Sequence, residues 1–444
     1  MSTPLLERIA GEHAAIEGRF PPTAAARARR RRALDTLLAV GLPTTRDENW
    51  RYANLRPLER MRFAPAVDGA SPIDTAPPID VASLPASVPG FVRYVFVDGI
   101  FVPGASSAGR AQLASTVQVS MGPPALAPAS AFALLNEAFA TDGLRIEVAP
   151  GESPRDTGAS ARIEVVFVAS ASAQSSTTGD PQGASYPRLS INVGPRARLE
   201  VIERHLSARD EPSFIDSWVD VHALEGSTVE HYRIQQLGPR ALWIDTLAAK
   251  VARSAVYRLH AFALGAQSAR STLGVRLEGE DAELALHAVA AADRAQVLDT
   301  HAVVEHAAPR TRTDELFRGV AAGRARVAFN GKVIVQPGSH GADSSQSLRG
   351  LLAGAEAEID VRPQLEIYTD DVRCSHGATA GKLDEAMLFY LLSRGIDRDT
   401  ARRLLKWAFL EDVVSKVSVA ELRRQIEASL AGRLQETEAL KELL

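Results

Sequence analysis

Between about residues 160 and 380 one short unit keeps returning, a glycine turn followed by alternation of small or apolar with polar residues. It stands at Gly194…Ala197-Arg198-Leu199-Glu200-Val201, at Gly226-Ser227-Thr228-Val229-Glu230-His231-Tyr232, and at Gly279-Glu280-Asp281-Ala282-Glu283-Leu284-Ala285-Leu286. It recurs at Gly323-Arg324-Ala325-Arg326-Val327-Ala328-Phe329 and at Gly354-Ala355-Glu356-Ala357-Glu358-Ile359-Asp360-Val361. A period of two belongs to a strand whose faces differ. No convincing amphipathic helix interrupts the region, which leaves a sandwich, a barrel or a solenoid. The glycine spacings are 32, 53, 44 and 31 residues, as expected when several strands fill each cycle. The recurring unit favours a mainly β fold with helical ends, its core a β-helix solenoid. Such a stack needs protected ends, and helical sequence lies on both sides.

The expected division is 1–65 as an N-terminal helical domain, 66–155 as linker and mixed α/β sequence, 156–380 as the β-helix core and 381–444 as a C-terminal helical domain. Near the start, Leu5, Ile9 and His13 share a helical stripe, and a second helix carries Leu34, Leu37 and Leu38 before stopping at Gly41-Leu42-Pro43. The run Arg27-Ala28-Arg29-Arg30-Arg31-Arg32 is expected to be the solvated face of that helix, the alternative being a phosphate contact. Arg93 to Val102 predicts a hairpin with an Asp98-Gly99 turn. At the other end, Asp384 is the expected N-cap of a helix ending at Gly395. A second helix begins near Asp397 with apolar positions Ala401, Leu404, Leu405, Ala408 and Phe409. A third starts at the capping box Ser418-Val419-Ala420-Glu421 and presents Leu422, Ile426, Leu430 and Leu434, either to the body of the chain or to a partner.

Charged residues make up 23% of the chain and the formal net charge is −4, so the overall field argues for neither nucleic acid nor an anionic membrane. The uncharged stretch between Arg110 and Glu137 is broken by Pro123, Pro124 and Pro128 and does not predict a membrane span. The N-terminal residues form no secretion leader, and a single cysteine forms no internal disulfide; a cytoplasmic protein is expected.

That cysteine, Cys374, lies in Asp370-Asp371-Val372-Arg373-Cys374-Ser375-His376-Gly377-Ala378-Thr379. In a strand Cys374 and His376 point the same way, giving a thiol and an imidazole as half of a site for a soft or borderline metal or an iron–sulfur species. One chain with one cysteine cannot finish such a site, so a second chain is expected to complete it. The competing reading makes Cys374 an ordinary buried small hydrophobe. Gly377 to Leu383 fails as a phosphate-binding loop, because its glycines are too close and Leu383 stands where a hydroxyl would hold magnesium. Asp370-Asp371 is expected in a turn rather than as an acid–base pair, and His340 in a surface loop. His205, His222, His231, His260, His287, His301 and His306 fall in strand-like stretches and are expected to be hydrogen-bonded framework residues.

Several segments together resemble the SufB/SufD family of iron–sulfur cluster assembly proteins: Phe329-Asn330-Gly331-Lys332-Val333-Ile334-Val335, Asp343 through Leu352, Pro363 through Tyr368, Asp370 through Thr379, and Leu388 through Ile396. Gly41 through Tyr52, Gly377 in place of a glutamate after the histidine, and the lack of further cysteines resemble the SufD branch. Gly354 through Arg362 departs from that pattern in its turn chemistry. The resemblance implies a right-handed parallel β-helix between helical ends, acting as a non-catalytic scaffold. Its implied partners are a SufB-like paralogue, or a second copy of itself, and a SufC-like ABC-type ATPase. No cofactor held tightly by this chain alone is implied, only a transient iron–sulfur cluster shared with the partner.

Carried over by residue, His376 and Cys374 are the candidate cluster ligands, with Leu365, Ile367, Tyr368 and Val372 on the candidate pairing edge. Phe389, Tyr390, Arg394, Leu404, Leu405 and Phe409 are the candidate ATPase-docking residues. Two other expectations compete: a carbohydrate-active β-helix enzyme, which needs carboxylates and basic residues clustered on adjacent coils, and a nucleic-acid binder using Arg27 to Arg32.

Overall fold

A computed structural model of the chain describes residues 4–20, 23–44, 46–51, 53, 55–60, 63–65, 79–107, 116–122, 130–151, 161–170 and 182–433. Its centre is a parallel β-solenoid of about seven turns between residues 183 and 382, with helices at both ends. Consecutive strands fall alternately in two sheets, so each coil contributes one strand to each. The first sheet ends at Glu358–Ile367 and the second at Arg373–Lys382. Within the second sheet Arg198, Thr228, Val256, Glu283, Arg312, Asp343 and Arg373 stand in register, one coil apart. The inward sets of both sheets fuse into one apolar core, from Val92 and Leu144 at one end to Val335 and Leu348 near the other.

The turn before each of these second-sheet strands explains why the glycine spacing is irregular. Two residues ahead of the strand the backbone is left-handed at Arg196, Gly226, Ser254, Asp281, Arg310, Gly341 and Asp371. Only two of those positions are glycine, although such a conformation favours it. All but the last are held by backbone bonds running from turn to turn: Arg196 N–H donates to Glu225 O, Gly226 to Arg253 O, Ser254 to Glu280 O, Asp281 to Pro309 O and Arg310 to His340 O. Gly341 N–H donates to Asp371 O, and there the ladder stops.

The two ends of the solenoid differ. At the N-terminal end both sheets close on antiparallel pairs, Val117–Met121 with Leu144–Val148, and Val92–Val97 with Ile100–Phe101. The second pair is the predicted hairpin, with Asp98 and Gly99 both at positive φ. At the C-terminal end Glu358–Ile367 and Arg373–Lys382 each have a neighbour on one side only among the described residues.

Helices cover the outer faces. Helix α1 (Pro4–Ile16), α2 (Ala24–Val40), α3 (Arg56–Arg60) and α4 (Ala131–Phe139) gather Leu5, Leu34, Leu58 and Phe132 against Phe214, Leu242 and Ile244 of the first sheet. Gly41 ends α2 at φ +79°, as the sequence predicts. Most of the arginine run is the solvated face that the sequence predicts, with Arg27, Ala28, Arg31 and Arg32 exposed; Arg30 is the exception. Arg30 is buried, donates to Ala140 O at 2.7 Å and lies over the Phe20 ring; Arg29 pairs with Glu137 and Arg31 with Glu17. Buried Arg30 is committed to this chain's own groups, and Arg29 and Arg31 already have carboxylate partners, which weakens the nucleic-acid reading.

Helix α5 (Glu385–Ser393) follows the last strand, capped by Asp384, whose carboxylate accepts from Ala386 N and Met387 N. Helices α6 (Arg398–Val414) and α7 (Ala420–Arg433) lie on the second sheet. The predicted α6 stripe is displaced: Ala401 is buried, but the rest of the buried face is Trp407, Leu410, Val413 and Val414. The helix runs on past Phe409, and those later apolar residues turn its seam away from Leu404 and Leu405. The α7 stripe packs on this chain's own body, with Leu422, Ile426 and Leu430 against Tyr232, Phe262 and Val289; Leu434 lies outside the described residues. No helix among the described residues is long and apolar enough to cross a membrane.

Candidate functional site

Cys374 and His376 lie on Arg373–Lys382, the terminal strand of the second sheet. Register sets Cys374 beside Ser344 and His376 beside Gln346, both buried on the inward face, so the thiol and imidazole share the inward-facing set of the last coil. None of the described residues forms a further coil on them: Cys374 is half-buried and His376 exposed. Burial and the nearby Asp343 push the Cys374 thiol above its ordinary pKa, which favours the protonated thiol.

The candidate edge residues divide at the same end. Leu365, Val372 and Cys374 rest half-buried against the core, while Ile367 and Tyr368 stand exposed. Asp371 occupies the left-handed position of the last turn, and His340 is a surface residue bonded to Thr369 Oγ1 at 3.2 Å. Both match the sequence expectation.

The sequence reading missed the chemistry of the rungs beneath. Along the inward face of the second sheet, Leu284 and Leu286 are followed by Thr313 and Glu315, then Ser344 and Gln346, then Cys374 and His376. The interior changes from apolar to polar over the last three rungs. Glu315 is fully buried, and burial raises its pKa to about 8 against a hydrogen bond that Gln346 Nε2 donates to Glu315 Oε2 at 3.2 Å. The one available clue was Asp343-Ser344-Ser345-Gln346-Ser347, polar on both faces of a strand.

A second polar cluster lies deeper in the solenoid. Arg233 bridges Glu203 and Asp245 with contacts of 2.8 Å, and Glu203 also bonds His205 at 2.6 Å and His231 at 3.0 Å. Carboxylates and a basic group do therefore meet on adjacent coils, as the carbohydrate-enzyme reading requires. All are buried inside the coil, where a polysaccharide cannot reach. No group of three or more metal-ligating side chains placed to hold a metal ion occurs among the described residues.

Two residues separate the terminal strand from α5. That helix buries Leu388 alone and leaves Met387, Phe389 and Tyr390 57%, 72% and 56% exposed. The Arg394 guanidinium stands 5.1 Å from the Tyr390 ring centre, so these two candidate docking residues adjoin, with exposed Phe389 next to Tyr390 in the chain. Leu404 and Leu405 are half-buried on α6, and Phe409 turns to the body beneath Arg318.

The family model described as SUF system FeS cluster assembly, SufBD core domain, matches residues 174–409, which take in the solenoid, the terminal strand and α5. The chain belongs to the SufBD family. SufBD relatives extend the match beyond that core. The iron–sulfur cluster assembly protein SufD of Escherichia coli is 29% identical over 403 residues, 90% of this chain and 91% of that protein. A SufBD family protein of Synechocystis is 27% identical over 427 residues, covering 91% and 90% of the two chains. One from Mycobacterium leprae is 32% identical over 211 residues, 44% of this chain and 54% of that protein. This chain is thus a SufD-like protein of iron–sulfur cluster assembly.

Proposed function

We propose that the chain is a non-catalytic, cytoplasmic scaffold subunit whose open solenoid end pairs with a SufB-like paralogue or a second copy, and whose α5 patch docks a SufC-like ABC-type ATPase. The observation that carries this reading is the contrast between the two ends. Antiparallel strands close one; the other leaves two strand edges, a truncated turn ladder and half-buried apolar side chains with no further coil among the described residues. Open edges invite another chain's strands, and natural folds keep them where such pairing is used. Cys374 and His376 stand on that end, so a partner's strands would complete the coordination this chain begins, with iron and sulfide as cargo. Two residues between the terminal strand and α5 leave little slack, so movement of a docked ATPase would bias how the paired ends sit.

Replacing His376 with alanine is expected to abolish most cluster formation by the reconstituted complex while subunit co-purification survives; unchanged cluster yield would remove the ligand role. The double variant Phe389→Asp, Tyr390→Asp places two charges in an exposed apolar patch. It is expected to weaken ATPase binding by about 2–4 kcal/mol, the range of interface hot spots, with the thermal midpoint of the isolated chain unchanged. Calorimetric titration of the ATPase reads this directly, and an affinity within threefold of the unmodified chain would move the docking surface elsewhere.

A further inference from the structure

The polar rungs under the open end form an ordered series: Glu315 pairs in register with Gln346, and Gln346 with His376. Gln346 is buried, and its Nε2 is committed to Glu315 Oε2 at 3.2 Å. Its Oε1 has no partner among the described residues. A buried carbonyl oxygen without a donor is costly, and the neighbouring rung toward the open end carries an imidazole. Across the interior the chain keeps this place clear with glycine. A Cβ on Gly331 would come within 2.9 Å of Gln346 Nε2 and 3.1 Å of Glu315 Oε2.

We infer that Gln346 is the positioning residue of His376: anchored through its Nε2 by Glu315, it offers Oε1 to one ring N–H of the imidazole. A neutral imidazole has one N–H and one lone pair, so an acceptor at one nitrogen leaves the other as the ligand. Histidines that bind metals are commonly oriented this way by an acceptor on the far nitrogen, which fixes both tautomer and ring plane. Glu315 suits the anchoring role because, as a neutral acid, it still accepts from the amide without leaving a bare charge in the core. The inference rests on the proposed function only for what His376 is oriented towards.

The test uses the full chain carrying 15N-labelled histidine, with the His376 resonances assigned by their loss in His376→Ala and the tautomer read from long-range proton–nitrogen correlations. One tautomer is expected to dominate in the unmodified chain. Gln346→Leu should return His376 to the mixture of a free imidazole, and Glu315→Leu should do the same. Glu315→Gln, which keeps an acceptor for the amide, should preserve the single tautomer. If Gln346→Leu does not fold, Gln346→Asn, one methylene shorter, reads the same loss.

A free-imidazole pattern in the unmodified chain, or a fixed tautomer that survives Gln346→Leu in a folded protein, would overturn the assignment. In the reconstituted complex the Gln346 variant is expected to hold iron about 10–100-fold more weakly. Should His376→Ala leave cluster formation intact while the tautomer result holds, the ligand role falls and the positioning stands. Should cluster formation need His376 while its tautomer ignores Gln346, only the positioning falls.

Discussion

Replacing Arg233 with methionine is expected to cost the folded chain about 3–5 kcal/mol at neutral pH, the range for breaking a buried ion pair from one side. The guanidinium contacts both oxygens of Glu203 and both of Asp245 at 2.8 Å, and all three side chains lie inside the coil. Burial alone would raise the Glu203 pKa; Arg233, with hydrogen bonds from His205 and His231, instead holds it well below the usual carboxylate range. In the unmodified chain this contribution is therefore present above the unfolded carboxylate pKa and lost as pH falls through the depressed folded value. Without the cation two carboxylates remain in the core, and the burial that raises the Glu203 pKa loses its main opposition. The deficit of the variant should be largest at pH 8 and shrink toward pH 4 as Glu203 takes up a proton. Urea denaturation at the two pH values measures this, and a variant within 1 kcal/mol of the unmodified chain at pH 8 would contradict it. Replacing Glu203 and Asp245 as well, with apolar residues of similar size, should recover much of the loss, because no buried charge is then left alone.

The solenoid could be recognised from its alternating strands, yet its coil length could not, and the stacked turns show why. A left-handed residue two places before each second-sheet strand is what repeats, and its occupants include Arg196, Ser254, Asp281 and Arg310. Bonds to the next coil supply what glycine would otherwise provide, so glycine marks only some of the turns. The cap at Asp384 and the helix start near Asp397 were readable because capping is local chemistry, settled within three or four residues. The buried face of α6 was not, since its seam depends on where the second sheet lies relative to Trp407 and Leu410.

The candidate site shows the same division. Cys374 and His376 could be paired from strand periodicity alone. Their standing at an uncovered end, and the rungs of Ser344, Gln346 and Glu315 beneath, depend on which residues 30 or so apart come into register, as Cys374 does with Ser344. Arg30 makes the complementary point: a run of like charges predicts solvent, and only the packing of α2 on α4 shows that one arginine lies inside.

Glu315→Gln is expected to make the chain more stable at alkaline pH and little different in acid. The carboxyl is fully buried; burial raises its pKa from 4.5 to about 8, opposed by the hydrogen bond from Gln346 and helped by the charge of Asp314. An acid whose folded pKa is raised keeps its full contribution below the unfolded pKa and loses it as pH climbs through the folded one. For Glu315 the loss accumulates between about pH 4.5 and 8 and then levels off. At about 1.4 kcal/mol per unit, a shift of this size is worth on the order of 3–5 kcal/mol. Glutamine has nearly the same shape, accepts from Gln346 and does not titrate, so its chain should escape that slope. Chemical denaturation at pH 5, 7 and 9 should show the two chains diverging across this window, the variant ahead at pH 9. Curves that stay parallel from pH 5 to 9 would mean that Glu315 ionises near its ordinary pKa, and water or a cation would then have to reach the interior beneath Gln346.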